Sequence, residues 1–245
     1  MFLNLFKTRP KLKELIPDGF VDIHSHVLPE IDDGPKDIET SQILISRMID
    51  LGFSKIIATP HTYMGVYNNT NNKIKRKYDD IVKLMGKKIN LSYASEYFLD
   101  EHFSKKCNEN SLLTLSENYV LVETSFISAP NNLYDLIFQM QMNNYAPILA
   151  HPERYIFLHN DFEQFYKLKR AGCKFQLNLL SIAGFYGKKV TKISNELIKN
   201  DLIDFVGSDF HNLKHIDFFE SNKKIESNYI EKLKMAIENN NKFKQ

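Results

Sequence analysis

The stretch FVDIHSHVLPEIDDGPKDIETS, residues 20–41, sets His24 and His26 one residue apart behind a short apolar run and follows them with Asp32 and Asp33. On an extended strand, side chains two positions apart point to the same side, so both imidazoles can face one ligand or one polar interior. Further along, His61, Glu96, Glu123, His151, Asp209 and His211 stand at the ends of other apolar, β-branched runs. Imidazole and carboxylate together suit zinc, manganese and iron(II), whereas a thiolate-rich set would point to softer ions. With Asp33 the set holds five histidines and four carboxylates. Nine donors exceed what one ion can use, so the pattern predicts two or three ions sharing carboxylates, with water in the open positions. A lone His-x-His can instead meet a polar interior, and Glu96 or Glu123 alone can be an edge charge. All nine gathered without cations would leave several buried charges unpaired, at several kcal/mol per ion.

Such a constellation needs elements that deliver each donor to one place. Seven strand-like segments, FVDIH, KIIATPH, INLSYASEY, YVLVETS, PILAH, KFQLNLL and DFVGSDFH, alternate with helix-like stretches such as DIETSQILISRMIDLG, LYDLIFQMQMNNY, DFEQFYKLKRAG and VTKISNELIKND. Strands alternating with amphipathic segments predict parallel strands joined by crossover helices, with Gly52 and Gly172 as helix stops. Seven such units can form an α/β barrel, whose chemistry sits at the carboxyl ends of the strands. The donors fall at those ends, and only the sixth strand, ending near Asn178, brings no obvious ligand. His102, His159 and His215 fall in helix or loop contexts and read as solvent-facing. The polar end, ENNNKFKQ, is expected to fray.

Composition narrows the function classes. The chain has 245 residues, 43% hydrophobic and 25% charged, which suits one globular domain over 19–245 behind an arm at 1–18. A formal net charge of +2, with lysines scattered among acids, argues against nucleic acid as a partner. No run approaches the roughly 18 apolar residues that cross a bilayer, and MFLNLF is too short for a secretory core, so a cytoplasmic location is expected. Cys107 and Cys173 cannot act as phosphatase nucleophiles, because the positions six residues on are Leu113 and Leu179 rather than arginine. No G-x-S-x-G elbow or G-x-x-x-x-G-K-[ST] loop is present.

In order, DIHSH, the aspartate of DDG, TPH, SEY, VETS, AHPERY and SDFH resemble the PHP (polymerase and histidinol phosphatase) superfamily, and within it the bacterial capsule-type protein-tyrosine phosphatases. The resemblance runs over roughly residues 15–215. It implies a distorted (β/α)7 TIM-like barrel with a trinuclear centre, manganese first, with iron(II), zinc, cobalt or magnesium as alternatives. Carried over by position, His24, His26, Glu96 and Asp209 hold one ion. Glu96 bridges to a second held by Glu123 and His151, while Asp33, His61 and His211 serve the third. Asp33 fits the family aspartate because it precedes Gly34, which leaves Asp32 a turn or supporting role. Three divalent ions among four carboxylates leave a formal charge of about +2, matched to a phosphomonoester dianion. A hydroxide between two ions is the implied nucleophile, and Arg154 of HPERY clamps phosphate oxygens with the ion of Asp33, His61 and His211. Related capsule-type phosphatases often carry a second arginine after the final Asp-x-His, where SDFHNLKHIDFF offers Lys214 and His215.

The implied substrate is phosphotyrosine on the disordered tail of a bacterial tyrosine kinase that controls capsule or exopolysaccharide synthesis. Alternatives are a histidinol-phosphate or other small phosphomonoester phosphatase, an amidohydrolase barrel, a PHP-type nuclease, and a metal-stabilised regulator that binds without hydrolysing. The loop HTYMGVYNNTNN, 61–72, is a candidate lid, in which Tyr63, Met64 and Tyr67 could flank an aromatic ring. EYFLDEHF offers a second wall. MFLNLFKTRPKLKEL combines Phe2, Leu3, Leu5 and Phe6 with Lys7, Arg9, Lys11 and Lys13. It suits peripheral contact with a membrane or a membrane-bound kinase, or packing against the barrel or a second subunit in a homo-oligomer.

Overall fold

Aliphatic and β-branched runs that do not alternate with polar residues can only be strands covered on both faces, which is the environment of a parallel sheet under helices. The computed structural model describes residues 9–86, 89–225 and 228–245. Among them nine strand segments form: β1 (Phe20–Ser25), β2 (Phe53–Ala58), β3 (His61–Thr62), β4 (Leu91–Tyr93), β5 (Glu96–Phe98), β6 (Tyr119–Glu123), β7 (Ala146–Ala150), β8 (Lys174–Asn178) and β9 (Phe205–Gly207). All pairings are parallel, in the orders β1-β2-β4 and β3-β5-β6-β7-β8-β9. The protein is therefore a mixed α/β fold with parallel sheets.

Two expected strands are each divided. KIIATPH breaks between β2 and β3 at Pro60, which lacks the N–H a ladder needs. INLSYASEY breaks between β4 and β5, where Glu96 N donates to Pro60 O at 3.1 Å. The expected KFQLNLL strand stops at Asn178, because the Asn178 side chain accepts from Leu180 N at 3.0 Å and caps a helical turn. The breaks after β2 and β4 pass the chain from one sheet to the other, so both sheets contribute carboxyl ends to the same place.

Helices α1 (Ile38–Asp50), α2 (Asn71–Met85), α3 (Glu101–Asn108), α4 (Leu133–Met142), α5 (Glu163–Arg170), α6 (Leu179–Ile182), α7 (Lys188–Lys199), α8 (Leu213–Glu220) and α9 (Ile230–Asn239) cover the strands. Asp37 caps α1 by accepting from Thr40 N, and α1 and α5 end just before Gly52 and Gly172, as expected. EYFLDEHF becomes β5 followed by the start of α3; Glu96 joins the donor cluster, and none of the segment is in the lining of the cavity beside Arg154.

The amino-terminal arm packs where it is described. Leu12 N donates to Lys223 O, Ile225 N donates to Pro10 O, and Leu12, Leu15 and Ile16 are buried in the core. Phe2, Leu3, Leu5, Phe6 and Lys7 lie outside the described residues. No helix among the described residues is long and apolar enough to cross a membrane.

The carboxyl end does not fray. Asn240 donates to the carbonyls of Val21 and Val206 and accepts from Val206 N, tying β1 to β9. Phe243 is fully buried beside Tyr119 and Phe205, in a cluster with Val21, Ile23, Ile57, Leu121 and Ile148 drawn from both sheets. Sequence polarity misleads here because two residues of the tail, not its average, carry the packing. Phe243→Ala is expected to cost about 3–5 kcal/mol in urea unfolding, the usual loss for a large buried ring. A loss under about 1 kcal/mol would show a loose tail.

Candidate metal centre

β1 points His24 inward, and His26 follows on the same side one residue past the strand. Their Nε2 atoms lie 3.2 Å apart. His24 Nε2 is 3.3 Å from both Glu96 Oε2 and Asp209 Oδ1, and His26 Nε2 is 3.4 Å from the same two oxygens. Donors held about 2.0–2.2 Å from one ion stand about 3.0–3.5 Å from each other, so these separations are the edges of a coordination shell. His151 Nε2 is 3.1 Å from Glu96 Oε1, and His61 Nδ1 is 3.1 Å from Glu96 Oε2 and 2.8 Å from Glu123 Oε1. On the outer side, Asp33 Oδ1 lies 3.5 Å from His61 Nε2 and 3.3 Å from His211 Nε2.

All nine expected donors therefore converge, in overlapping groups rather than three separate sets. His61 stands between two groups, offering one ring nitrogen to each, and His151 also meets His24 and Asp209. Whether the groups suit cations can be tested on their hydrogen bonds. Glu96 is fully buried, and neither of its oxygens receives a hydrogen bond; His61 Nδ1, despite its short approaches, has no hydrogen bond of acceptable direction. Buried acceptors left in that state are costly unless a cation faces them. The residues fit divalent ions.

The ring orientations come from partners further out. Gln176 Oε1 meets His24 Nδ1 at 2.7 Å. Asp32 Oδ2 meets His26 Nδ1 at 2.8 Å and accepts from His61 N at 3.1 Å, while its other oxygen accepts from Gly34 N. The Asp209 carbonyl holds His211 Nδ1 at 2.9 Å. Fixing the far nitrogen in this way aims the near one and raises its basicity. Asp32 is thus a supporting residue, as the sequence suggested. Gln176 was missed, and its position two residues before Asn178 on the same strand face is the one signal that could have found it. Asn178 also serves, donating to Asp209 Oδ2 at 2.6 Å.

Backbone geometry is equally constrained. A Cβ on Gly34 would meet the His26 carbonyl at 2.3 Å, and one on Gly207 would meet His24 Cβ at 2.7 Å, so neither position admits another residue without movement. His151 (φ 34°) and Asp209 (φ 53°) occupy the left-handed region, which costs a non-glycine residue of order 1 kcal/mol or more and occurs where surroundings enforce it. From His151 the chain enters a 3-10 turn, Pro152–Arg154, closed by Arg154 N donating to His151 O at 2.9 Å. Three residues per turn bring Arg154 back over His151.

Arg154 and Asp209 line a cavity of about 260 Å³ with Asp33, His61, His151 and His211. Arg154 donates to Asp209 Oδ2 at 2.9 Å, and its Cζ lies over the rings of Phe126 (4.5 Å) and Tyr186 (4.3 Å). The sequence reading missed both rings. Tyr63 instead stacks on Phe98, Tyr67 stacks on His61, Met64 is exposed, and none of the three lines the cavity. Of the two residues standing where a second arginine was sought, Lys214 is exposed and outside the lining. His215 lines the cavity rather than facing solvent, and burial, then the nearby His211 charge, pushes its pKa down to about 4. It enters as a neutral ring, not as a replacement cation. His159 also departs from expectation, half-buried with Nε2 2.7 Å from the Glu153 carbonyl.

Neighbouring charges bear on the protonation of these donors. Burial disfavours the His24 cation, but Glu96 and Asp209 outweigh it and raise its pKa. Burial and His61 oppose a proton on His26, yet Asp32 and Glu96 raise it to about 10. His61 is raised well above its ordinary value against burial, by Glu96 and Glu123. His151, dominated by burial, is lowered. Burial opposes ionisation of Asp33, Glu96 and Asp209, yet the surrounding imidazoles hold all three below the usual carboxylate range.

Parallel strands that present imidazoles and carboxylates around one cavity define a metal-centred α/β protein. The chain belongs to the capsular polysaccharide synthesis family CpsB/CapC, whose model matches residues 20–244. It is 32% identical over 202 residues to the tyrosine-protein phosphatase YwqE of Bacillus subtilis (strain 168), spanning 81% of this chain and 80% of that protein. It is 28% identical over 202 residues to the tyrosine-protein phosphatase CpsB of Streptococcus pneumoniae, spanning 79% and 83%. A crystal structure from the pair YwqE and CpsB, described as metal-dependent tyrosine phosphatases, matches with a TM-score of 0.77 at 28% identity over 91% of both chains.

Two outcomes test the centre. Asp32→Asn, which weakens the hold on His26, is expected to lower divalent-ion affinity about 10–100-fold by equilibrium dialysis while the fold persists. Because ligating imidazoles must be neutral, ion binding displaces protons from His24, His26 and His61. The raised His26 pKa contributes stability to the fold that is fully present below about pH 6.5 and is lost as pH rises past about 10. Ion affinity runs the other way, rising about tenfold per pH unit for each proton released. Calorimetry in buffers of different ionisation heat reads that release directly.

Proposed function

We propose that this chain is a metal-dependent protein-tyrosine phosphatase acting on the tail of a bacterial tyrosine kinase that controls capsule or exopolysaccharide synthesis. The observation that carries the reading is Arg154, whose guanidinium is held against Asp209 at the mouth of a nine-donor cluster. Family membership and the phosphatase relatives support it. The fold is read as a distorted (β/α)7 barrel over residues 19–245 behind an arm at 1–18. Backbone hydrogen bonds from Asp209 N to His24 O and from His26 N to Phe210 O support that reading, since they link the carboxyl end of β1 to the segment after β9.

Two or three divalent cations, manganese first, would be held by His24, His26, Asp33, His61, Glu96, Glu123, His151, Asp209 and His211, and would supply Lewis-acid activation of water and positive charge. The chain's own residues then do the positioning. One Arg154 N–H is committed to Asp209, leaving donors of the planar fork free for phosphate oxygens. Asp209 and Asn178 fix that fork, so the phosphate meets a guanidinium already oriented. Asp33, His61 and His211 line the same cavity, so a cation held by them would supply the positive charge that places phosphate oxygens next to Arg154. A disordered kinase tail can present one phosphotyrosine after another to such an open cavity in the cytoplasm.

Purified protein with Mn2+ is expected to release phosphate from p-nitrophenyl phosphate and phosphotyrosine peptides, to lose activity on chelation, and to regain it when the ion is returned. Histidinol phosphate as the clearly preferred substrate would overturn the specificity. Binding without turnover under every divalent ion would favour a regulator instead. Arg154→Ala is expected to lower kcat/KM for phosphotyrosine by about 100-fold or more.

A further inference from the structure

The lining of the cavity is divided by chemistry. Around His211 it is polar, with Asp33, Asn212 and His215. Around Arg154 it is aromatic, with the rings of Phe126 and Tyr186. Phe126 sits on the loop after β6, three residues past Glu123, and remains 36% exposed although its ring is 5.5 Å from the His151 ring and 5.8 Å from that of Tyr155. Its carbonyl accepts from Ile156 N at 2.8 Å, which ties the loop to the segment that carries Arg154. The ring is therefore held, not draped, at the mouth.

Packing alone does not account for this placement, since a core ring would be covered and a stray surface ring would not overlie a guanidinium. A phosphoryl group bound by Arg154 would have its ester substituent leave the cavity past the lining, which includes the exposed part of Phe126. An aromatic substituent there gains an offset or edge-to-face contact that an aliphatic one cannot make. Resting on the phosphatase reading, we propose that Phe126, with Tyr186 behind Arg154, forms an aryl subsite that makes the centre prefer phosphate esters of aromatic alcohols over those of aliphatic alcohols. Phe126 acts as a specificity-determining residue. The contacts are non-covalent, so the subsite alters which ester is held and not the hydrolytic step.

The test uses the full chain loaded with Mn2+, as wild type, Phe126→Ala and Phe126→Tyr. Binding is measured by calorimetry with phenylphosphonate and methylphosphonate, and turnover with matched phosphotyrosine and phosphoserine peptides. Phe126→Ala is expected to reduce the phenyl-to-methyl affinity ratio about three- to tenfold, with Phe126→Tyr retaining it. The same variant is expected to lower the phosphotyrosine-to-phosphoserine ratio of kcat/KM. A wild-type protein that binds both phosphonates equally, or a Phe126→Ala variant that loses both in parallel, would overturn the subsite and leave Phe126 as mere support for Arg154. A phenyl preference that depends on Phe126, without phosphotyrosine turnover, would uphold the subsite and sink the phosphatase reading. Turnover of phosphotyrosine without any phenyl preference would do the reverse.

Discussion

A carboxylate buried away from solvent destabilises a fold by several kcal/mol unless opposite charge faces it, and Glu96 is fully buried with no hydrogen bond of acceptable direction at either oxygen among the described residues. Four imidazoles, from His24, His26, His61 and His151, stand 3.1–3.4 Å from it. Without ions, the balance is struck by protons, which is why the pKa values of His24, His26 and His61 are raised. Cations held there would satisfy the same oxygens and take the ring nitrogens as lone-pair donors. The geometry of the site is therefore set by one buried charge that needs company.

That requirement is met by rigidity rather than by the donors alone. Gln176, Asp32 and the Asp209 carbonyl each hold the far nitrogen of a histidine, and His151 and Asp209 keep left-handed backbone conformations that local preference opposes. Parallel strands make such precision available, because neighbouring carboxyl ends fall at one level and alternate side chains there project towards the same space. The pairing of His61 with Glu96 in register is a direct instance. Elsewhere, Asn240 and Phe243 tie strands of both sheets, so stability and chemistry draw on different parts of the same strands.

At the mouth of the cavity, Arg154 supplies the guanidinium. His215 lines the cavity as a neutral ring, and the aromatic pair Phe126 and Tyr186 flanks the guanidinium. Covering a guanidinium with rings removes competing water while leaving its in-plane N–H groups free, since cation–π contact uses the face and hydrogen bonding uses the edge. Ligand orientation at this mouth thus depends on shape as much as on charge.

Eight of the nine candidate donors were legible in the sequence because each ends or follows a short apolar run, a signal local to a few residues, whereas Asp33 was placed by resemblance, as the aspartate before Gly34. Strand-helix alternation and the helix stops at Gly52 and Gly172 were legible for the same reason. What no local pattern carried was partnership. His24 and Gln176 are 152 positions apart, and their contact exists only because β8 lies beside β9, which in turn meets β1. The dual position of His61, the rings over Arg154, the inward turn of His215 and the buried tail at Phe243 likewise depend on which strand ends become neighbours. Sequence alone determined which groups reach the ends of the strands, since periodicity and turn chemistry act over short range. Tertiary structure alone decided which of them share a charge, because that follows from distances set by sheet order and packing.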